Sequence, residues 1–143
     1  MRSWFVALVL LVGLAPAALA GGIRARIEGP GPDGVTYTVR TSALEPTDKI
    51  EPWGFAEGLV DDKLQSMLLH IKPTGEPGVY QFTRVWPQDG RWMLRVALSN
   101  PSTPATVASL RSDGSVKRTR FYRRTDGSKE CYKALGAKGG SDC

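Results

Sequence analysis

The chain of 143 residues is poor in the side chains on which most active sites depend. It holds one histidine, His70, and two cysteines, both near its C-terminal end. It has no Gly-x-Ser-x-Gly elbow, no phosphate-binding glycine loop and no His-Glu-x-x-His zinc motif. The single histidine also lacks a partner for nucleophilic catalysis. These absences make an enzyme the least favoured class, and we expect a non-catalytic protein without a cofactor.

Soft metal ligands are equally scarce. His70, Met67 and Met93 could together supply the imidazole and thioether groups that copper accepts. Residues three apart on a strand point to opposite faces, however, so Met67 and His70 would not converge on one ion. A zinc site is disfavoured because no histidine or third cysteine lies near Cys131 and Cys143. A copper-handling accessory domain is therefore a minor alternative, and we assign no metal ligand.

Long apolar runs are absent except at the N-terminus, where residues 4–14 are apolar and follow a single charge at Arg2. Small residues come next and end in Ala18-x-Ala20. This layout predicts a secretory signal peptide over residues 1–20, cleaved after Ala20. A retained anchor is less favoured because the apolar run is shorter than the roughly 20 residues that cross a bilayer. We therefore expect a periplasmic or secreted protein, with a disulfide joining Cys131 and Cys143.

The positive charge is concentrated at the C-terminal end. Residues 21–110 contain nine Lys and Arg against ten Asp and Glu, whereas residues 111–143 contain nine against four. The composition therefore predicts three parts, which are the signal peptide (1–20), a folded domain (21–110) and a basic C-terminal hairpin and tail (111–143).

Alternation of apolar and polar residues predicts strands along most of the folded part. It is clearest over residues 78–98, where Tyr80 and Phe82 precede a turn at Asp89-Gly90 and Trp92, Leu94 and Val96 follow it. We expect a hairpin there. Shorter alternating segments start near Ile23 and Val35, and turn residues at 61–62 and 113–115 predict two further hairpins. For the second strand of the hairpin at residues 61–62, a helix over residues 64–71 is the less favoured alternative.

Several short strands with frequent turn residues, and no β-α-β alternation, favour an all-β fold. We expect an antiparallel, immunoglobulin-like β-sandwich with an N-terminal signal peptide and a basic C-terminal extension. In such a sandwich Met67, Leu69 and Ile71 should face the core, and Leu68, His70 and Lys72 should face solvent.

One segment resembles a known family. The motif Gly78-x-Tyr80, a proline-bearing turn and Gly90-x-Trp92-x-Leu94-x-Val96 are similar to the closing hairpin of the YtkA-like and FixH-like exported domains. Residues 56–66 stand where that type places its middle hairpin. The resemblance covers residues 35–98 and implies a small immunoglobulin-like sandwich. Some relatives occur with copper handling or oxidase assembly, but their methionine-rich motif is absent here, so no metal role is carried over.

A basic segment near the C-terminus offers the most suggestive surface chemistry. Arginines there could hold phosphate or sulfate groups while aromatic rings stack on bases or sugars. The alternative is an edge strand whose charges prevent aggregation. The candidate polyanion-binding residues are Lys117, Arg118, Arg120, Phe121, Tyr122, Arg123 and Arg124.

Two hypotheses follow for function. The first is a non-catalytic exported domain that contacts an envelope or extracellular protein. The second is binding of anionic polysaccharide or lipid headgroups through the basic segment; export argues against intracellular nucleic acid as a partner. The acidic residues Glu57, Asp61 and Asp62 could suggest paired catalytic carboxylates, but turn aspartates commonly hydrogen-bond the turn backbone instead, and we assign no catalytic residue.

Overall fold

A computed structural model of the protein describes residues 23–42, 51–99 and 104–122. These ranges hold nine β-strands and no helix. Their sequences are rich in the β-branched and aromatic residues that suit a pleated, half-buried surface. The strands are β1 (Arg24–Glu28), β2 (Thr36–Ser42), β3 (Pro52–Val60), β4 (Lys63–Leu68), β5 (Lys72–Pro73), β6 (Val79–Thr83), β7 (Arg91–Leu98), β8 (Ala105–Leu110) and β9 (Val116–Tyr122).

The strands form two antiparallel sheets. The four-stranded sheet has the order β1-β2-β6-β5, and the five-stranded sheet has the order β4-β3-β7-β8-β9. Buried side chains from both sheets belong to one hydrophobic core. The predicted all-β, antiparallel class is confirmed, and the arrangement is sandwich-like.

The first two strands show how alternation sets the inner and outer faces. In β1, Ala25 and Ile27 are buried while Arg24 and Arg26 are exposed. In β2, Tyr37 and Val39 are completely buried. The inner residues of both strands contribute to the core, and the arginines of β1 lie on the outer face, as the alternation predicts.

The hairpin predicted at residues 61–62 is confirmed. β3 and β4 pair in continuous register from Val60↔Lys63 to Phe55↔Leu68. Asp61 and Asp62 join them with φ values of 49° and 59°, which are the positive values at both central positions that a type I′ turn needs. The helix interpretation of residues 64–71 is wrong, because this stretch contains β4 and no helix.

The inner and outer positions predicted for this segment are confirmed. Leu69 is buried, and Met67 and Ile71 are half-buried against the core. Leu68 and His70 are exposed.

The prediction of a hairpin over residues 78–98 is wrong, although both of the predicted strands exist. β6 pairs with β2 and β5 in the four-stranded sheet. β7 pairs with β3 and β8 in the five-stranded sheet. The chain between them therefore crosses from one sheet to the other.

A buried tryptophan explains this crossing. Trp86, in the connection of residues 84–90, is only 4% exposed, and its ring lies 5.2 Å from that of Tyr37 and 6.4 Å from that of Trp92. Arg84 holds the connection by donating from Nε to the Trp86 carbonyl at 3.1 Å. A connection of only two residues would be too short to place the Trp86 indole in the core. Burial of this side chain therefore favours the longer connection between the two sheets.

Tyr37 is the central side chain of the inner face. Its ring stacks on Phe82 with centroids 5.4 Å apart, and its hydroxyl donates to the Gly114 carbonyl at 2.7 Å. Burial raises the pKa of the Tyr37 phenol above its usual value. This hydrogen bond ties the four-stranded sheet to the turn between β8 and β9, 77 residues away along the chain.

The hairpin of β8 and β9 is part of the five-stranded sheet. The sequence alone left open whether this hairpin joins the sandwich. Besides the Tyr37 hydrogen bond, the Val116 amide donates to the Gly29 carbonyl at 3.2 Å. The Thr106 hydroxyl also donates to the Ala25 carbonyl at 2.8 Å. β1 is thereby joined to the other sheet.

Replacing Thr106 by valine tests that link. Thr106 is completely buried, so Thr106→Val keeps its volume but removes the donor to β1. We expect a loss of about 1–2 kcal/mol in the free energy of unfolding, measured by denaturant titration. Thr38→Val, on the outer face of the four-stranded sheet, is the matched control and should change stability by less than about 0.5 kcal/mol. Equal effects at the two positions would contradict the importance of the link.

Several predictions concern residues outside the described ranges. They are the signal peptide and its cleavage after Ala20, and the disulfide between Cys131 and Cys143. Residues 43–50, after the end of β2 at Ser42, also lie outside the described ranges.

Candidate functional site

The predicted basic segment forms β9, the edge strand of the five-stranded sheet. Arg118 lies opposite Ser109, and Arg120 lies opposite Val107. Both arginines are exposed, and alternation along the strand places them on the outer face of the sheet, away from the core. Lys117 is also exposed, beside the irregular pairing at Ser109 and Leu110.

Among the remaining predicted residues, Phe121 does not share the face of these arginines. Phe121 lies opposite Thr106, on the other face, where the guanidinium of Arg24 lies 5.3 Å from the ring centroid. That contact is a cation-π interaction between β1 and β9. Tyr122 pairs with Ala105 through its backbone, and Arg123 and Arg124 lie outside the described residues.

The strand register brings arginines from the middle of the chain to the same outer face. Arg95 of β7 lies opposite Val107, which in turn lies opposite Arg120. Phe55 of β3 lies on the other side of Arg95. We call this surface the arginine-aromatic face and define it by Trp53, Phe55, Arg91, Arg95, Arg118 and Arg120.

An ion pair lies at the centre of the arginine-aromatic face. Arg95 donates from Nη2 to Glu57 Oε1 at 2.8 Å, with side chains 28% and 11% exposed. Glu57 Oε2 and Arg95 Nε are buried without hydrogen-bond partners. The Glu57 carboxylate is thus paired with Arg95 and largely buried, and arginine and aromatic side chains make up the exposed part of the face.

The aromatic side chains of the face are ordered against each other. Trp53 and Phe55 meet edge to face with ring centroids 6.0 Å apart. The Arg95 guanidinium lies 5.8 Å from the Phe55 centroid. Trp53 is 41% exposed. Exposed rings beside guanidinium groups can contact the apolar part of a ligand while the arginines hold its anionic groups.

The five-stranded sheet is strongly basic as a whole. Its strands contain six Lys and Arg residues, and Glu57 is their only acidic residue. The sequence did not indicate Arg91 or Arg95 as site residues, because residues 21–110 are nearly neutral in total; Trp53 and Phe55 carry no local signal for a surface site. Alternation places Arg91 and Arg95 on one face of β7, but only the order of the strands brings that face beside β9.

The acidic residues considered as catalytic carboxylates have separate surroundings. Glu57 is buried in its ion pair, and Asp61 and Asp62 are exposed in the turn. Aspartates in two other turns bind the local backbone: Thr36 and Ser115 hydroxyls, with nearby amides, lower the pKa of Asp33 and Asp113 respectively. These interactions fit a role in turn formation.

The residues considered for copper lie on different surfaces. Met67 lies opposite Ala56 and contacts the core, whereas Met93 lies opposite Glu57 toward the outer face. His70 is exposed beyond the end of β4. No three His, Cys, Asp or Glu side chains within the described ranges form a group that could hold a metal ion.

A cavity of about 520 Å³ opens beside β5 and β6. It is lined mainly by residues 73–80 and by Pro52 and Ile71. The charged groups among its described lining are Glu51 and Glu76. Both are acidic, so this cavity does not add to the basic surface.

No family model, curated protein or solved structure matches this chain. Within the described ranges no helix is long and apolar enough to cross a membrane.

Proposed function

We propose that the protein is a non-catalytic, exported domain of immunoglobulin-like type that binds anionic surfaces in the cell envelope or outside the cell. The arginine-aromatic face is its binding surface. The observation that carries the proposal is the gathering of Arg91, Arg95, Arg118 and Arg120 on one side of a sheet whose strands contain a single, ion-paired acidic residue.

The spacing of the arginines suits a repeating array of anionic groups. Arg118 and Arg120 are two residues apart on one strand, which places them about 7 Å apart along it. Arg95 and Arg120 share a row two strands apart, or roughly 10 Å across the sheet. Phosphate or sulfate groups repeated along a polysaccharide or across a lipid headgroup layer can contact several arginines at such spacings.

Other features agree with this proposal. The signal peptide predicted over residues 1–20 would bring the domain to compartments where such surfaces occur. The two antiparallel sheets provide a rigid outer face on which the arginines are held. The planar guanidinium group is well suited to phosphate and sulfate.

Binding to anionic vesicles and to heparin tests the proposal. The chain without the predicted signal peptide (residues 21–143) should bind both, and affinity should fall as salt is added. Arg91→Ser/Arg118→Ser removes two exposed arginines from the face. We expect roughly 30-fold weaker binding to anionic vesicles, from about 1 kcal/mol per arginine near a charged surface.

The matched control removes the same charge from the other sheet. Arg26 and Lys72 are exposed on the four-stranded sheet, so Arg26→Ser/Lys72→Ser should retain most of the affinity. Equal losses in both double variants would mean that net charge alone drives binding and would refute a specific face. Binding to heparin but not to vesicles, or the reverse, distinguishes polysaccharide from lipid.

A further inference from the structure

The described strands present four sheet edges, and three of them are protected against pairing with another chain. β1 carries exposed Arg24 and Arg26 and contacts the other sheet through Ala25. β5 has two residues, one of which is Pro73. β9 carries Lys117, Arg118 and Arg120. Charges, proline and short length are the usual devices that block edge-to-edge association.

The fourth edge, β4, lacks these devices. Its sequence is KLQSML, and its one charge, Lys63, stands at the first position beside the turn. Leu64 and Leu68 are 46% and 52% exposed. A six-residue edge strand without proline, with a neutral centre and two exposed leucines, favours pairing with a strand of another chain.

The hydrogen-bonding pattern between β4 and β3 determines which backbone amides and carbonyls of β4 are available to another strand. The two-residue turn makes Val60↔Lys63 a hydrogen-bonded pair, and the Leu69 amide donates to the Gly54 carbonyl at 2.9 Å, in the same phase. Residues 63, 65 and 67 therefore direct their amides and carbonyls to β3. Those of Leu64, Ser66 and Leu68 point outward at the free edge.

We propose that two copies of this chain pair antiparallel through β4 in a register centred on Ser66. In that register Ser66 lies opposite Ser66 of the other copy, and Leu64 lies opposite Leu68. These are the positions whose backbone groups point outward, so each pair can exchange two hydrogen bonds. The two five-stranded sheets then form one continuous ten-stranded sheet.

Side chains and charge agree with self-pairing. The register creates two cross-strand leucine pairs on the outer face, and burying them removes apolar surface from water. It also directs the acidic Asp61-Asp62 turn of each copy toward the end of β4 in the other, where His70 and Lys72 follow. The same pairing through β9 would place arginines against arginines, which disfavours it.

This dimer has a consequence for surface binding that rests on the proposed function. A two-fold axis perpendicular to the sheet puts both arginine-aromatic faces on the same side. Two linked faces bind a repeating anionic surface more tightly than either does alone. Dimerisation itself does not depend on the ligand, so the two proposals can fail separately.

Sedimentation equilibrium of residues 21–143, the chain without the predicted signal peptide, tests the dimer first and uses no anionic ligand. We expect the mass to rise from monomer to dimer with concentration. Leu68→Lys introduces a charge into the leucine pair and should weaken dimerisation by about tenfold or more. Val35→Lys, at an exposed valine before β2 in the other sheet, is the matched control and should leave it unchanged.

Disulfide trapping tests the register. Directly opposed Ser66 residues would have Cα atoms about 5.5 Å apart, within disulfide range. Ser66→Cys should therefore give a cross-linked dimer on mild oxidation, with mass spectrometry locating a bond between two position-66 peptides. Leu64→Cys should not cross-link to itself, because the two positions lie about 13 Å apart along the strand.

A monomeric mass at all concentrations would overturn the proposal, as would equal trapping at positions 64 and 66. So would a dimer that persists unchanged in Leu68→Lys. Ser66→Pro gives a second check, since the Ser66 amide is not used within the sheet; this variant should be folded by circular dichroism and monomeric.

Discussion

Gly54→Ala should destabilise the protein by about 3 kcal/mol, which corresponds to a fall of roughly 10–20 °C in Tm. Gly54 lies in β3 opposite Val96 of β7. A Cβ at this position would overlap the carbonyl oxygen of Arg95 and would lie 3.1 Å from the Val96 Cα. Because the obstacle is backbone, no rotamer change can relieve it, and the central strands must move apart. Thermal unfolding followed by circular dichroism measures the effect.

Two other glycines give a graded comparison. At Gly58, also in β3, the added Cβ would meet the ring of Trp92, which is buried and donates to the Asp89 carbonyl, so Gly58→Ala should also destabilise the protein. At Gly31 the nearest atoms are 3.6 Å away, and Gly31→Ala should change stability by less than about 0.5 kcal/mol. Equal effects at all three positions would contradict the close approach of β3 to β7.

Arg95→Met should also have a large effect, about 2–3 kcal/mol of lost stability. The variant leaves the Glu57 carboxylate buried without the guanidinium that pairs with it, and one of its oxygens has no hydrogen-bond partner among the described residues. Breaking a buried ion pair from one side is costly because the remaining charge has lost its water. Denaturant titration at neutral pH measures the change.

A control on the same strand and the double variant complete this experiment. Arg91 is exposed on the same face, so Arg91→Met should alter stability by less than about 0.5 kcal/mol. Arg95→Met/Glu57→Met removes both charges and should recover most of the lost stability. A double variant as unstable as the sum of its single changes would show that the pair is not coupled.

The strands themselves were largely predictable. Alternation indicated the inner residues of β1 and β2, and the turn residues at 61–62 and 113–115 indicated two hairpins that the structure confirms. These signals are local: a side chain's face depends on its position in the strand, and a turn depends on two to four adjacent residues. The candidate site was only partly predictable, since Arg118 and Arg120 were named but Arg91 and Arg95 were not.

The sequence by itself determined the all-β class, the inner and outer faces of most strands and the basic edge at β9. Tertiary structure decided which strands pair. The alternation over residues 78–98 fits a hairpin as well as it fits two strands in separate sheets, and burial of Trp86 between the sheets separates these alternatives. The same long-range pairing brings Arg95 and Arg120 into one row. Strand pairing depends on contacts between residues distant in sequence, which periodicity within one strand does not encode.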